Sequence, residues 1–168
     1  MEKILSIDVS KRSTGYYINY NNKYGTIKTV KTNDEVDYEL FKYIVDKIFK
    51  LYDDNKCDLI LMEDGFSFGK NKKETQKLVE LRACIKYESL KRGIKIITYP
   101  PTVIKLAVAG KGNASKKDIY DSIKNIKRYS NIIEELGDIK TKGKEKNDDI
   151  FDVIAIYETY LKLDKEEE

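Results

Sequence analysis

Residues 3–8 alternate and then run apolar through Ile4, Leu5 and Ile7, a period-two pattern that predicts a strand closing on Asp8. After a polar turn the pattern predicts a second strand at 14–20. Across Asn21-Asn22-Lys23 it predicts a third at 24–30, so that the three form an antiparallel meander. The period then changes. Val36, Leu40, Phe41, Ile44, Val45, Ile48 and Phe49 recur at helical spacing, with Asn33 or Asp34 placed to cap the helix. Leu59-Ile60-Leu61-Met62 is a short buried strand that ends, like the first, on an acid, Glu63. A helix over 73–91 follows, closed by Gly93, then a strand at 95–98 and the Pro100-Pro101 break, with a short helix beginning at Pro101 or Thr102. Ala114-Ser115 opens a further helix to about residue 127. The polar, lysine-rich stretch 138–147 is expected to be mobile. An amphipathic helix runs from 148 to 163, and the acidic tail Glu166, Glu167, Glu168 is expected to fray. No repeat or linker interrupts this order. It predicts one α/β domain over residues 1–168, a mixed five-stranded sheet flanked by helices.

Charge sharpens the picture. Charged residues make up 36% of the chain, against the usual quarter, and the net charge of +3 hides an arrangement. Lysines gather at 70–73, 111–117 and 140–146, runs that suit either a solvated face or a polyanion. No apolar run approaches the roughly 20 residues that span a bilayer, and no leader pattern precedes the first strand, so no membrane partner is expected. Cys57 and Cys84 lack metal-ligand spacing and are expected to be reduced, buried thiols. Histidine is absent, which excludes Ser-His and Cys-His triads, histidine bases and histidine-ligated zinc. Hydrolytic chemistry in this chain must rest on carboxylates, lysines and metal.

The acids stand where such chemistry is usually built. Asp8 and Glu63 end two strands expected to be neighbours, and ligands of α/β sheets gather at strand ends. Asp148, Asp149 and Asp152 open the last helix. Asp149 and Asp152 lie about 60° apart around it and Asp148 and Asp152 about 40°, so angle prefers neither pair. Singly, each acid has an ordinary explanation as a turn residue or a helix cap, Asp148 above all as an N-cap. Together they cannot be buried unpaired, since that costs several kcal/mol per ion, and they call for cations between them. Hard oxygen donors suit Mg²⁺, with Mn²⁺ able to substitute. Two such ions about 3.5–4 Å apart can clamp a phosphodiester.

Four blocks carry a family resemblance. Ile4-Leu5-Ser6-Ile7-Asp8-Val9-Ser10, continuing to Ser13-Thr14-Gly15-Tyr16, is the first. Met62-Glu63-Asp64-Gly65-Phe66 with Lys70-Asn71 is the second. Tyr99-Pro100-Pro101-Thr102-Val103-Ile104-Lys105, with Gly110 and Gly112-Asn113-Ala114-Ser115-Lys116, is the third. Asn147 and Asp149-Ile150-Phe151-Asp152-Val153-Ile154-Ala155-Ile156 close the set. In order and spacing the chain resembles the RuvC family of Holliday junction resolvases. The resemblance implies an RNase H-like fold, a Mg²⁺-dependent endodeoxyribonuclease with two ions per active site, and a homodimer that makes paired nicks in four-way junctions and other branched DNA. It implies Asp8, Glu63, Asp149 and Asp152 as metal ligands, and Lys105 and Lys116 as the basic residues near the scissile phosphate. Phe66 falls where the family meets distorted bases at the crossover, although a core role for it stays open. Lys70, Lys72, Lys73, Lys111 and Lys117 join Lys105 and Lys116 as candidate DNA contacts. The helix over 73–91, with its stripe Leu78, Leu81 and Ile85, is the candidate dimer interface. The implied location is the bacterial cytoplasm, with a phage gene as a candidate source given the Lys-, Asn- and Tyr-rich composition. Two departures stand out: Ser10 where many relatives have Gly, and Val153 where Ala is usual.

Other classes fit less well. An actin- or heat-shock-chaperone-like ATP-binding module also opens on an apolar strand and an Asp, but needs a second phosphate loop and a second lobe. A YqgF-type or RNase H-type nuclease acting on RNA keeps the fold, yet leaves the Phe66 loop and the 110–116 block without a purpose. A non-catalytic junction-binding protein leaves the acids without one.

Overall fold

The computed structural model describes residues 1–29, 37–65, 72–143 and 146–165. The two opening strands form as their pattern dictates: β1 spans Ile4–Asp8 and β2 Ser13–Ile18, with β3 at Lys23–Lys28. Helix α1 covers Asp37–Asn55, strand β4 Leu59–Glu63, helix α2 Lys72–Arg92 and strand β5 Lys95–Tyr99. Helices α3 (Pro101–Ala109), α4 (Lys116–Ile123), α5 (Ser130–Leu136) and α6 (Asp148–Leu163) complete the chain, with a 3₁₀ turn at Lys127–Tyr129. The sheet order is β3-β2-β1-β4-β5. The meander β1-β2-β3 is antiparallel, and β4 and β5 extend it in parallel. This is the mixed five-stranded sheet expected from the pattern.

Strand alternation divides the core into two layers. Leu5, Ile7, Ile60 and Met62 face α1 and α2, where Phe41, Ile44, Ile48, Leu81 and Ile85 meet them. Ile4, Leu59 and Leu61 face the other way, against α6 and the α3–α5 layer. By the same period of two, Asp8 shares the α6 face with Ile4, and Glu63 shares it with Leu59 and Leu61. Ile7 pairs with Met62, so the two acids follow on adjoining strands at the same end of the sheet.

Helix α6 differs from its expected amphipathic form. Every residue from Val153 to Tyr160 is buried, because the helix lies between the sheet on one side and α3 and α4 on the other. A helix apolar all round belongs inside a three-layer stack.

Two further expectations change. The helix expected to reach residue 127 ends at Ile123. The chain turns there, with the Ile126 amide donating to the Ile123 carbonyl, and restarts so that Tyr129 and Ile132 also reach the α6 core. One straight helix could not present both Ile119 and Ile132 to α6. The α2 stripe is not a dimer surface: Leu81 and Ile85 are fully buried in their own core and Leu78 packs on it. Among the described residues of the 138–147 segment, Asn147 links its end back to its start. Asn147 donates to the carbonyls of Leu136 and Asp138 and accepts from the Lys140 amide at 2.7 Å. Gly93 caps α2 as expected, at φ 66°, with the Ile94 amide bonded to the Ser89 carbonyl. Both cysteines are free, Cys57 buried and Cys84 half-buried. The proposed cap residues Asn33 and Asp34, and the tail at 166–168, lie outside the described residues. Among the described residues no helix is long and apolar enough to cross a membrane.

Candidate active site

The carboxyl ends of β1 and β4 deliver Asp8 and Glu63 to the face that α6 covers, and α6 begins with its own acids against them. Register makes this close approach possible. Gly15 of β2 pairs with Asp8, and a Cβ there would stand 2.7 Å from the Asp149 carbonyl oxygen and 3.2 Å from Val153 Cγ1. The missing side chain lets the first turn of α6 sit directly on the strand. Val153, fully buried, fills the space over Gly15.

Electrostatics mark the convergence. Burial raises the Asp8 carboxyl well above its ordinary range, and the carboxylates of Asp152, Glu63 and Asp149 push it the same way against the pull of Lys116. Burial also raises Glu63. The Arg82 guanidinium opposes this, with an Nη2–Oε1 distance of 3.5 Å, and Asp152 adds to it. Asp152 is raised by burial despite Lys116 beside it. Four acids that destabilise one another's charge form a site suited to cations. Carboxylate oxygens of Asp148, Asp149 and Asp152 lie within 4.8 Å of one another, a spacing a single ion could bridge. All the donors are hard oxygens, which suits a divalent ion of the Mg²⁺ type rather than a thiophilic one.

Lysines are interleaved with these acids. Lys116 Nζ donates to Asp152 Oδ2 at 2.7 Å and to Asp148 Oδ2. Burial alone would lower the Lys116 ammonium, but Asp152 and Asp148 outweigh it and hold its pKa above the ordinary value. Lys146 Nζ reaches Asp149 Oδ1 at 2.6 Å, and Ser13 Oγ donates to Asp149 Oδ2 at 2.8 Å. An open cleft of about 620 Å³ joins the set. Asp8, Glu63, Asp152, Lys105 and Lys116 line it, with Pro100, Ile104 and Ile119 forming apolar walls.

The structure thus brings together Asp8, Glu63, Asp149, Asp152, Lys105 and Lys116. Lys111 and Lys117 lie on the surface of the adjoining α4 region, in ion pairs with Asp118 (3.1 Å) and Asp121 (2.7 Å). Lys72 and Lys73 are exposed in the first turn of α2. Phe66 and Lys70 lie outside the described residues. Asp148 is not the expected N-cap. Asn147 occupies that position with no side-chain cap, and Asp148 is the first helical residue, buried, with Lys116 and Lys146 as partners. Arg82, Ser13 and Lys146 were given no site role from the sequence, although Ser13 stands in the first block and Lys146 in the 140–146 lysine run. A signal for Arg82 did exist, since it falls on the apolar face of α2 among Leu78, Leu81 and Ile85, and the structure buries it to 5% exposure. Ser13 and Lys146 carry no such signal.

A mixed sheet in this strand order, with acids at two central strand ends and on the covering helix, defines an RNase H-like domain with a carboxylate–lysine site. Its likeness to known proteins is consistent. The sequence model of the family described as crossover junction endodeoxyribonuclease RuvC matches residues 4–157. The chain is 30% identical over 166 residues to the RuvC of Campylobacter lari, with 94% of each covered. It is 29% identical over 163 residues to that of Caldanaerobacter subterraneus, covering 92% of this chain and 88% of the relative. Among solved structures, Thermus thermophilus RuvC in complex with its Holliday junction substrate superposes with a TM-score of 0.72. That match has 15% identity and covers 99% of this chain and 97% of the other. The chain belongs to the RuvC family.

Proposed function

We propose that this protein is a metal-dependent endonuclease that resolves Holliday junctions and related branched DNA by paired nicks, acting as a homodimer in the bacterial cytoplasm. The observation that carries the reading is the convergence of Asp8, Glu63 and Asp152 with Lys105 and Lys116 on one open cleft, with Asp149 beside them. The names of the relatives point to the same activity, and the Thermus relative was solved with a four-way junction.

Asp8, Glu63, Asp149 and Asp152 would hold two Mg²⁺ ions, replaceable by Mn²⁺; bound there, the ions supply an activated water and charge neutralisation at the phosphodiester. The side chains of this chain do the rest. The carboxylates fix the ions and keep the cleft closed to a second anion until cations fill it. Lys105 and Lys116 meet the negative charge that develops on the phosphate oxygens, where a fixed cation contributes most. Lys72, Lys73, Lys111 and Lys117, with Lys70 from the same sequence run as Lys72 and Lys73, contact phosphates of the DNA arms, and each phosphate neutralised makes binding more salt-dependent. Phe66 stacks on a base at the crossover, a contact worth roughly 1–3 kcal/mol. The outward face of α2, with Val79, Tyr87 and Leu90 exposed, is the surface offered to a second copy.

A labelled four-way junction, linear duplex and RNA–DNA hybrid, each incubated with and without Mg²⁺, test the reading. The junction alone should be cut, in symmetric pairs, and only with metal. Preferred cutting of the hybrid would assign the site to RNA instead.

A further inference from the structure

Asp148 is the most deeply buried acid of the C-terminal block. Its side chain is 2% exposed, against 13% for Asp149 and 25% for Asp152. Asp152 and Lys116 line the cleft; Asp148 and Asp149 stand behind that lining. Its Oδ2 accepts from Lys116, and its Oδ1 lies 3.2 Å from Lys146 Nζ without hydrogen-bond geometry. Both carboxylate oxygens of Asp148 thus face lysines.

Lys116 needs such an anchor. Its backbone is fixed at the first residue of α4 by a capping box. The Ser115 hydroxyl accepts from the Asp118 amide at 3.2 Å, and the Asp118 carboxylate accepts from the Ser115 amide at 2.8 Å. Its ammonium, however, stands at the end of four flexible methylenes in a side chain 47% exposed. Of its two acceptors, Asp152 is shared with whatever cation the cleft holds. Asp148, outside the cleft lining, gives its Oδ2 to Lys116 and leaves its Oδ1 to Lys146.

Building on the function proposed above, we infer that Asp148 is a positioning residue: it binds no metal, and holds the Lys116 ammonium beside the cation-binding acids so that it faces the scissile phosphate. The pair also ties the start of α4 to the start of α6, the two elements that bring the cleft together. Nothing in the helical angles distinguishes Asp148 from Asp149 for this task. The burial and the partners do.

A double-mutant cycle tests it. Asp148→Asn should lower kcat on a four-way junction about tenfold, the range of a coupled charge pair. KM and the Mg²⁺ concentration for half-maximal rate should stay within about twofold. In a Lys116→Ala background the same substitution should change kcat by less than about twofold, because the residue it serves is gone. Equal losses in both backgrounds overturn the inference, and so does a many-fold rise in the Mg²⁺ requirement, which would make Asp148 a ligand. A second measurement needs no activity. Acetylation of lysines in metal-free protein, read by mass spectrometry, should label Lys116 several-fold faster relative to Lys117 in Asp148→Asn than in the wild type. A far-UV circular dichroism spectrum and melting curve like those of the wild type establish that the variant is folded; if it is not, Asp148→Ser replaces it. Unchanged Lys116 labelling overturns the inference. Raised labelling in a protein that cuts no branched DNA overturns the functional reading and leaves the pairing standing.

Discussion

The carbonyl oxygen of Asp149 lies 2.7 Å from where a Cβ on Gly15 would stand, so one acid of the site reaches its place only because the strand beneath it lacks a side chain. Gly15 pairs with Asp8, so a single backbone contact sets the separation of the β1 acid from the α6 acids. Gly15→Ala should push the first turn of α6 off the sheet. Overpacking of this kind costs about 1–3 kcal/mol, and a shift of about 1 Å in a catalytic set costs about a hundredfold in rate. Thermal melting and junction cleavage, measured together, should both fall. A variant that loses stability but cuts at the wild-type rate would show that α6 tolerates the displacement.

Asp8 gives a prediction about pH with a definite sign. Its folded-state pKa lies above the ordinary 3.8, first through burial and then through its acidic neighbours. A carboxyl raised in this way favours the folded state most below its ordinary value and loses that contribution as pH rises through the folded value. In metal-free protein the contribution of Asp8 to stability should therefore be lost as pH climbs above 3.8. Asp8→Asn should melt higher than wild type at pH 7 in a chelator, and Mg²⁺ should close most of the gap by stabilising the wild type alone. Equal melting temperatures in the chelator would show that the acids do not repel one another across the site.

Asp149 and Asp152 should both be required for the chemistry. Asp149 is held by Ser13 and Lys146 and Asp152 by Lys116, so each keeps partners when its charge is removed. Asp149→Asn and Asp152→Asn should cut orders of magnitude more slowly while binding junctions at least as well as wild type and melting near its temperature. Near wild-type cutting by Asp149→Asn would remove it from the ligand set.

Lys105 and Lys116 line the cleft, whereas Lys111 and Lys117 form surface ion pairs outside it. Lys105→Ala and Lys116→Ala should lower kcat more than they weaken binding, because they meet charge that grows in the transition state. Lys111→Ala and Lys117→Ala should instead weaken binding and flatten its salt dependence, by about 0.9 in the slope of log K against log salt for each phosphate left unneutralised. Single-turnover rates and salt titrations separate the two pairs. Equal losses of rate and affinity in the first pair would reduce Lys105 and Lys116 to phosphate contacts.

Self-association should depend on the outer face of α2. Leu90 is 79% exposed and Tyr87 65% exposed, one turn apart on a helix whose inner stripe is fully committed to the core. Leu90→Glu combined with Tyr87→Glu should give a folded monomer by sedimentation that nicks a junction on one strand at a time. A double variant that remains dimeric would move the interface elsewhere.

The sequence alone determined the frame of this protein. A period of two placed Asp8 and Glu63 at the ends of buried strands, and helical spacing opened the last helix on Asp148, Asp149 and Asp152, because local periodicity reports which face of an element meets the core. Absent histidine confined the chemistry to carboxylates, lysines and metal. What periodicity does not report is how elements far apart along the chain meet. Only the packing of α6 on Gly15, between the sheet and the α3–α4 layer, decided that Asp148 turns inward to Lys116 while Asp152 opens on the cleft. The same packing broke the helix at Ile123, and the layer on the sheet's other face buried Arg82 against Glu63. Angles of about 40° and 60° around an isolated helix cannot separate these acids, but a neighbouring strand that excludes one direction and a lysine that fills another can.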